Sequence, residues 1–267
     1  MSAQPILITH LDDHGVATLT MNRPQVSNAF NDELIAELTA ELEMLGGDPN
    51  ARVVFLTGSG KHFSAGADLN WMRRMATYTK EENLADSMKL SKLMHTLHTL
   101  PKPTVALVNG AAIGGGAGLV ACCDIAVAST SAVFALSEVN LGLIPAVVGP
   151  YVVQAIGVRQ AQRYFLSGER LSAEEAFRFG FVHELVAPED MNEMKALLTK
   201  TLLRGGPKAQ AMGKALVRDV AKRPTDQSLR DELAEMIADL RASDEAQEGM
   251  SAFLEKRSPS WRGAAEE

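Results

Sequence analysis

The sequence of 267 residues predicts an α/β fold followed by a helical carboxy-terminal region. Three observations carry that expectation. The β-branched runs "RVVFLTG", "TVALV" and "DIAVAS" alternate with helical stretches, the pattern of parallel strands joined by right-handed crossovers. Two of those runs feed loops of small residues, "GKHFSAGADLNWM" and "NGAAIGGGAGLVACC". From about Ala146 the pattern turns to helices separated by Gly and Pro, and this half reads as wholly helical.

Taken in order, "ILITHL" and "VATLTM" flank "DDHG" and read as a hairpin. Asn31 or Asp32 caps a helix through about Leu45, with Leu34, Ile35, Leu38, Leu42 and Leu45 on one apolar stripe. There follow the strand "RVVFLTG", the helix "LADSMKLSKLMHTLHTL", the strand "TVALV", the short helix "GLVACC" and the strand "DIAVAS". The helical half contains "VVGPYVVQAIG", "AEEAFRFG", "MNEMKALLTKTLLRGG", "KAQAMGKALVRDVAK" and "DQSLRDELAEMIADLRAS". No internal repeat or flexible linker interrupts it, so these helices are expected to pack on the sheet or on a neighbouring subunit.

Composition narrows the function. A content of 46% hydrophobic and 22% charged residues suits one large globular domain with a sizeable core. The net charge of -7 argues against nucleic acid as the main partner, since phosphate binding shows as a basic excess. The two cysteines, Cys122 and Cys123, are adjacent in an apolar run and read as free buried thiols of a reducing compartment. No basic start followed by a long apolar stretch marks the amino terminus for secretion, so a cytoplasmic enzyme is expected. Thr104 to Cys123 is uncharged and long enough for a membrane span, but Asn109 and the clustered glycines suit a strand, a loop and a helix start better.

So bare a backbone also invites a dinucleotide-binding reading. "GAGLVA", Gly116 to Ala121, fits the looser fingerprint, with Glu138 about twenty residues on. Against it, the preceding strand is expected to end near Val108, too early for a tight strand-turn-helix. A third reading uses both small-residue loops. Loops at the carboxyl ends of neighbouring parallel strands lie side by side, and small residues let two backbone N–H groups converge on one ligand oxygen as an oxyanion hole. The helix after Gly115 would add a favourable dipole.

The segments "NRPQVSNAF", "HFSAGADL", "NGAAIGGGAGLVACCDIAVAS" and "SEVNLGLIPA" together resemble, in order and spacing, the enoyl-CoA hydratase/isomerase or crotonase family, over about Ile6 to Trp261. The resemblance implies a crotonase-type β-β-α spiral over 1–200 and a helical trimerisation region over 201–267, assembled as trimers or paired trimers. It implies an acyl-CoA thioester substrate and no cofactor besides, coenzyme A being part of the substrate. The family's oxyanion-hole amides fall on Ala67 and Gly115. Neighbouring Ala65, Leu69, Gly114 and Gly118 would line the site, Asp68 and Asn70 would meet the adenine end of coenzyme A, and Gln25 and Val26 the pantetheine. Phe253 and Lys256, in "AFLEKRSPSW", match an element that reaches coenzyme A of the same or an adjacent subunit.

Glu138 stands in an apolar segment, where burial raises a carboxyl toward the range a general acid/base needs, and the family's second catalytic glutamate falls on it. The chain departs from the two-glutamate pattern at Gly118, reading "GGGAG" where those hydratases carry glutamate. The block "LSEVNLGLIPAVVGPYVVQAIG" most resembles methylglutaconyl-CoA and isohexenylglutaconyl-CoA hydratases, whose substrates carry a second carboxylate. Hydration of such an enoyl-CoA is the expected activity, with double-bond isomerisation, short-chain hydration in fatty-acid oxidation or non-catalytic acyl-CoA binding as alternatives. Arg73, Arg74 and Lys89 are candidate receivers of the second carboxylate but are expected on exposed helix surfaces. His95 and His98 are expected at the surface, Ser64 and Ser137 lack a triad, and Met72, Met75, Met88 and Met94 read as core or acyl lining.

Overall fold

The computed structural model describes residues 4–262. Strands β1 (Leu7–Leu11) and β2 (Val16–Met21) form the hairpin, with Leu7 opposite Met21. Helix α1 (Asp32–Gly47) follows, its first turn closed by the Asn31 side chain accepting from Leu34 N at 2.9 Å. Next come β3 (Val53–Gly58), α2 (Leu69–Met75), α3 (Lys80–Thr99), β4 (Thr104–Val108) and β5 (Ala111–Ile113). Then α4 (Gly115–Cys122), β6 (Ile125–Ser129) and β7 (Val133–Ala135) lead to α5 (Gly149–Ser167), which is broken where Gly157 turns to φ +75°. The chain ends through β8 (Arg170–Ser172), α6 (Ala173–Arg178), β9 (Glu184–Val186), α7 (Met191–Leu203), α8 (Pro207–Val220), α9 (Gln227–Arg241) and α10 (Asp244–Leu254).

The main sheet has the order β1-β2-β3-β4-β6-β9, parallel except for the hairpin, and a second sheet has the order β5-β7-β8. Burial on both faces explains why its central strands read as continuous apolar runs. Along β3, Val54 and Leu56 join the larger core with α1, α3 and α4, while Val53 and Phe55 face the opposite way toward Met191, Met194 and Leu198 of α7. All five stripe residues of α1 are buried, as expected.

Two expectations need correction. The second half is not wholly helical: β8 and β9 interrupt it, and three residues are too few to display a period of two. Strand β4 ends at Val108 as expected, but a short strand that was not expected, β5 of the second sheet, lies between it and α4 in place of a plain loop. The uncharged stretch Thr104 to Cys123 divides into β4, β5 and α4, and among the described residues no helix is long and apolar enough to cross a membrane. Helices α8, α9 and α10 bury only Leu229 and Ala252 within this chain, leaving Val217, Ile237, Met250, Phe253 and Leu254 exposed.

Leu38 of α1 is fully buried at the centre of the larger core. Leu38→Ala is expected to lower stability by about 2–5 kcal/mol, read from the midpoint of urea unfolding.

Candidate active site

The site is assembled by two loops that β3 and β4 deliver side by side, since these strands pair in parallel. The first loop is tied down by Asn28. Its side-chain amide donates to Ser59 O at 2.9 Å and His62 O at 2.7 Å, and its Oδ1 accepts from Arg23 N at 2.9 Å. Asn28 adopts φ +54°, a left-handed conformation that asparagine tolerates better than most residues, and it is fully buried. The loop then meets Phe30 in a parallel bridge: Phe30 N donates to Gly66 O at 2.6 Å and Asp68 N donates to Phe30 O at 2.8 Å. In such a bridge the partner residue between the two bonds turns its own N–H and C=O away. That residue is Ala67, which is exposed, and its N–H donates to no acceptor among the described residues.

The second loop is stitched to the first through Ser64 and Ala112. Ser64 N donates to Ala111 O at 3.0 Å and Ile113 N donates to Ser64 O at 2.9 Å. Gly66, at φ +88°, approaches so closely that a Cβ there would lie 3.1 Å from Ile113 O. After β5, Gly114 adopts φ +52° and donates to Ala135 O at 2.8 Å, which turns the chain into α4. The next amide, Gly115 N–H, is a first-turn helix donor with no acceptor among the described residues. The structure thus brings the Ala67 and Gly115 loops together, with both N–H groups uncommitted.

Glu138 opens a 3₁₀ turn, Glu138–Leu141, that follows β7. Its carboxylate lies over Gly114: a Cβ on that glycine would be 3.1 Å from Oε1. The other oxygen, Oε2, is buried without a hydrogen-bond partner among the described residues. Burial pushes the carboxyl above its ordinary range, and no ion pair among the described residues offsets it. A half-buried carboxyl of this kind beside two uncommitted N–H groups can move a proton next to an oxyanion.

The Asp68 side chain braces the first loop. It is 6% exposed, and its Oδ2 accepts from Arg23 Nη2 at 2.9 Å while Oδ1 caps α2 through Asn70 N at 2.8 Å. Burial works against its charge, but the Asn70 and Trp71 N–H groups and the Arg23 guanidinium together hold the carboxyl below its ordinary range. With both oxygens engaged, the Asp68 side chain anchors the backbone immediately after Ala67. Asn70 is exposed and accepts from Arg73 Nη1 at 2.8 Å, and Leu69 beside it is exposed too. Gln25 and Val26 are exposed in a 3₁₀ turn whose neighbour Ser27 accepts from Ala65 N at 2.9 Å, so Gln25, Val26 and Ala65 share one rim.

Gly118 is buried one turn into α4. Phe253 is 82% exposed on α10, and Lys256 follows it at φ +56°. Arg73, Arg74 and Lys89 are exposed, with Arg74 paired to Asp32. His98 departs from expectation: it is half-buried against Tyr151, ring centroids 5.0 Å apart. Met94 is fully buried and Met88 exposed. Among the described residues no three His, Cys, Asp or Glu side chains cluster to hold a metal ion. A cavity of about 560 Å³ opens at the far end of α4, lined by Cys123, Asp124, Tyr151 and Lys214, away from Glu138. Arg23, Asn28 and Phe30 are the organising residues that sequence reading passed over, although all three stand in "NRPQVSNAF".

This fold and site define a class of α/β protein with two uncommitted backbone N–H groups on neighbouring loops and one half-buried carboxyl beside them. Residues 12–264 match the family model described as Enoyl-CoA hydratase/isomerase. The chain is 35% identical over 252 residues to 2,3-dehydroadipyl-CoA hydratase of Escherichia coli K12, covering 93% of this chain and 95% of that one. It is 32% identical to trans-2-decenoyl-[acyl-carrier-protein] isomerase of Streptococcus mutans, covering 94% and 96%. The crystal structure of an enoyl-CoA hydratase from Shewanella pealeana superposes with a TM-score of 0.93 at 43% identity, covering 96% of each chain. The protein belongs to the enoyl-CoA hydratase/isomerase family, and the crotonase-type fold expected from the resemblance is its fold.

Asp68→Asn is expected to cost about 3 kcal/mol, the low end for breaking a buried pair, because Arg23 keeps a charge without its partner. The sign with pH follows from the depressed carboxyl. Its contribution is complete above the ordinary carboxylate range and is lost as pH falls through the lower folded value. Urea unfolding from pH 7 down to pH 3 is therefore expected to show a shallower acid loss in the variant than in the parent.

Proposed function

We propose that the protein adds water across the 2,3 double bond of an enoyl-CoA thioester. The observation that carries this reading is the placement of Glu138 against Gly114, next to the uncommitted Gly115 N–H, on a loop that the Ser64–Ala112 bridge ties to the loop of Ala67. The thioester oxygen accepts from both N–H groups, which favour the enolate over the ground-state carbonyl. The Glu138 carboxylate takes a proton from water as its oxygen bonds to C3, and electrons move through C2 onto the thioester oxygen. Glu138 then returns the proton to C2, so water is the only species added and the enzyme is regenerated. No separate cofactor enters the scheme.

Within that class we assign a substrate with a second carboxylate, of the methylglutaconyl-CoA or isohexenylglutaconyl-CoA type. Supporting this are the lone carboxyl of the site, the block from Leu136 to Gly157, and the dicarboxylic acyl group in the name of the Escherichia coli relative. Exposed apolar faces on α8 to α10 support assembly as a trimer or paired trimers, with Phe253 and Lys256 offered to coenzyme A of a neighbouring subunit. We place the enzyme in the cytoplasm. Isomerisation is the second reading, because one carboxyl suffices to carry a proton between C2 and C4.

Methylglutaconyl-CoA is expected to lose its conjugated thioester absorbance on addition of the protein and to gain oxygen from labelled water. An unchanged spectrum, or movement of the double bond without label, would reject hydration. Glu138→Gln is expected to lower kcat by about 10²–10⁴-fold with little change in KM. Since the carboxylate form is the base and burial raises its pKa, parent activity is expected to fall as pH drops through a value above the ordinary carboxylate range.

A further inference from the structure

We infer that Val148 is a reaction-determining residue: it holds this site to one carboxyl by occupying the volume that any side chain at position 118 would enter. The inference rests on the proposed role of Glu138 and extends it to a residue outside the proton path.

Gly118 N donates to Gly114 O at 3.0 Å, so the two glycines stand one turn apart on one face of α4. Helical side chains lean toward the amino terminus. A side chain at 118 would therefore lean toward Gly114, and so toward the Glu138 carboxylate that lies over it. That direction is filled. A Cβ on Gly118 would lie 2.2 Å from Val148 Cγ1, 2.8 Å from Val148 Cβ and 3.3 Å from Met94 Cε.

Methionine 94 can flex, but Val148 cannot step aside. Val148 is 3% exposed, its β-branched side chain has few rotamers, and its carbonyl accepts from Tyr151 N at 3.1 Å and Val152 N at 3.2 Å at the start of α5. The contact is with Cβ itself, so even alanine at 118 collides with it. Loss of the carboxylate at 118 and the presence of valine at 148 are thus two halves of one packing arrangement. Reintroducing a glutamate requires both positions to change.

The packing half is tested without any substrate. Gly118→Ala is expected to melt roughly 5 °C below the parent, whereas in a Val148→Gly background, which removes both the Cγ1 and the Cβ in its way, the same change is expected to cost little beyond that background's own loss. If Gly118→Ala melts with the parent, or costs as much in the Val148→Gly background as in the parent, Val148 does not close the volume. The chemical half uses Gly118→Glu with Val148→Gly. Carboxyl NMR is expected to show Glu138 titrating higher than in the parent, because a second carboxylate within reach disfavours its charge. The pH profile of methylglutaconyl-CoA hydration is then expected to show two coupled ionisations where the parent shows one. A folded double variant with an unmoved Glu138 titration would overturn the inference. Inactivity of the parent toward every enoyl-CoA would instead overturn the proposed hydration, leaving the melting and titration results to be read independently.

Discussion

The site depends on one geometric constraint: two short parallel bridges, Phe30 with Ala67 and Ser64 with Ala112, that lock a pair of loops edge to edge. Parallel pairing commits alternate backbone groups and leaves the intervening ones facing outward. At Ala67 that outward group is an N–H donor, and the first residue of α4 adds a second N–H that the start of the helix leaves free. Preorganised donors cost no reorganisation when charge develops on a bound oxygen, which is where electrostatic catalysis gains most of its advantage. The fold contributes by pairing β3 with β4, so that their following loops start as neighbours.

Two charged groups show how environment separates roles. Glu138 and Asp68 are both carboxyls near the loops, but their surroundings push them in opposite directions. Glu138 is desolvated with no paired cation among the described residues and its carboxyl rises, as a proton carrier requires. Asp68 has the Arg23 guanidinium and two backbone donors, so it stays ionised and acts on the backbone. Arg23 also donates to Ala29 O, so a single guanidinium holds both flanks of Phe30 in place. Positioning of the Ala67 N–H thus reaches back through Phe30 and Asp68 to a residue in the "NRP" turn.

Much of this was legible in the sequence where local patterns are strong. The hairpin, the α1 stripe from Leu34 to Leu45, and strands β3, β4 and β6 all follow from period and β-branching. The convergence of the two small-residue loops followed from parallel order alone. What escaped were the three-residue strands β5, β7, β8 and β9, whose pairing is decided by distant partners such as Ala111 with Val133. The role of Asp68 escaped for a related reason: its cation, Arg23, lies far away in sequence and meets it only through the fold. Helix propensity cannot report the contact between Gly118 and Val148 either, because the two belong to different helices.

The central claim, that two main-chain donors grip a thioester oxygen, is tested most directly by vibrational spectroscopy of a bound saturated acyl-CoA, which cannot react. The account predicts that the carbonyl stretch moves to lower frequency on binding, as two hydrogen bonds weaken the C=O bond. A bound thioester whose carbonyl absorbs at the frequency of the free compound in an apolar solvent would contradict it.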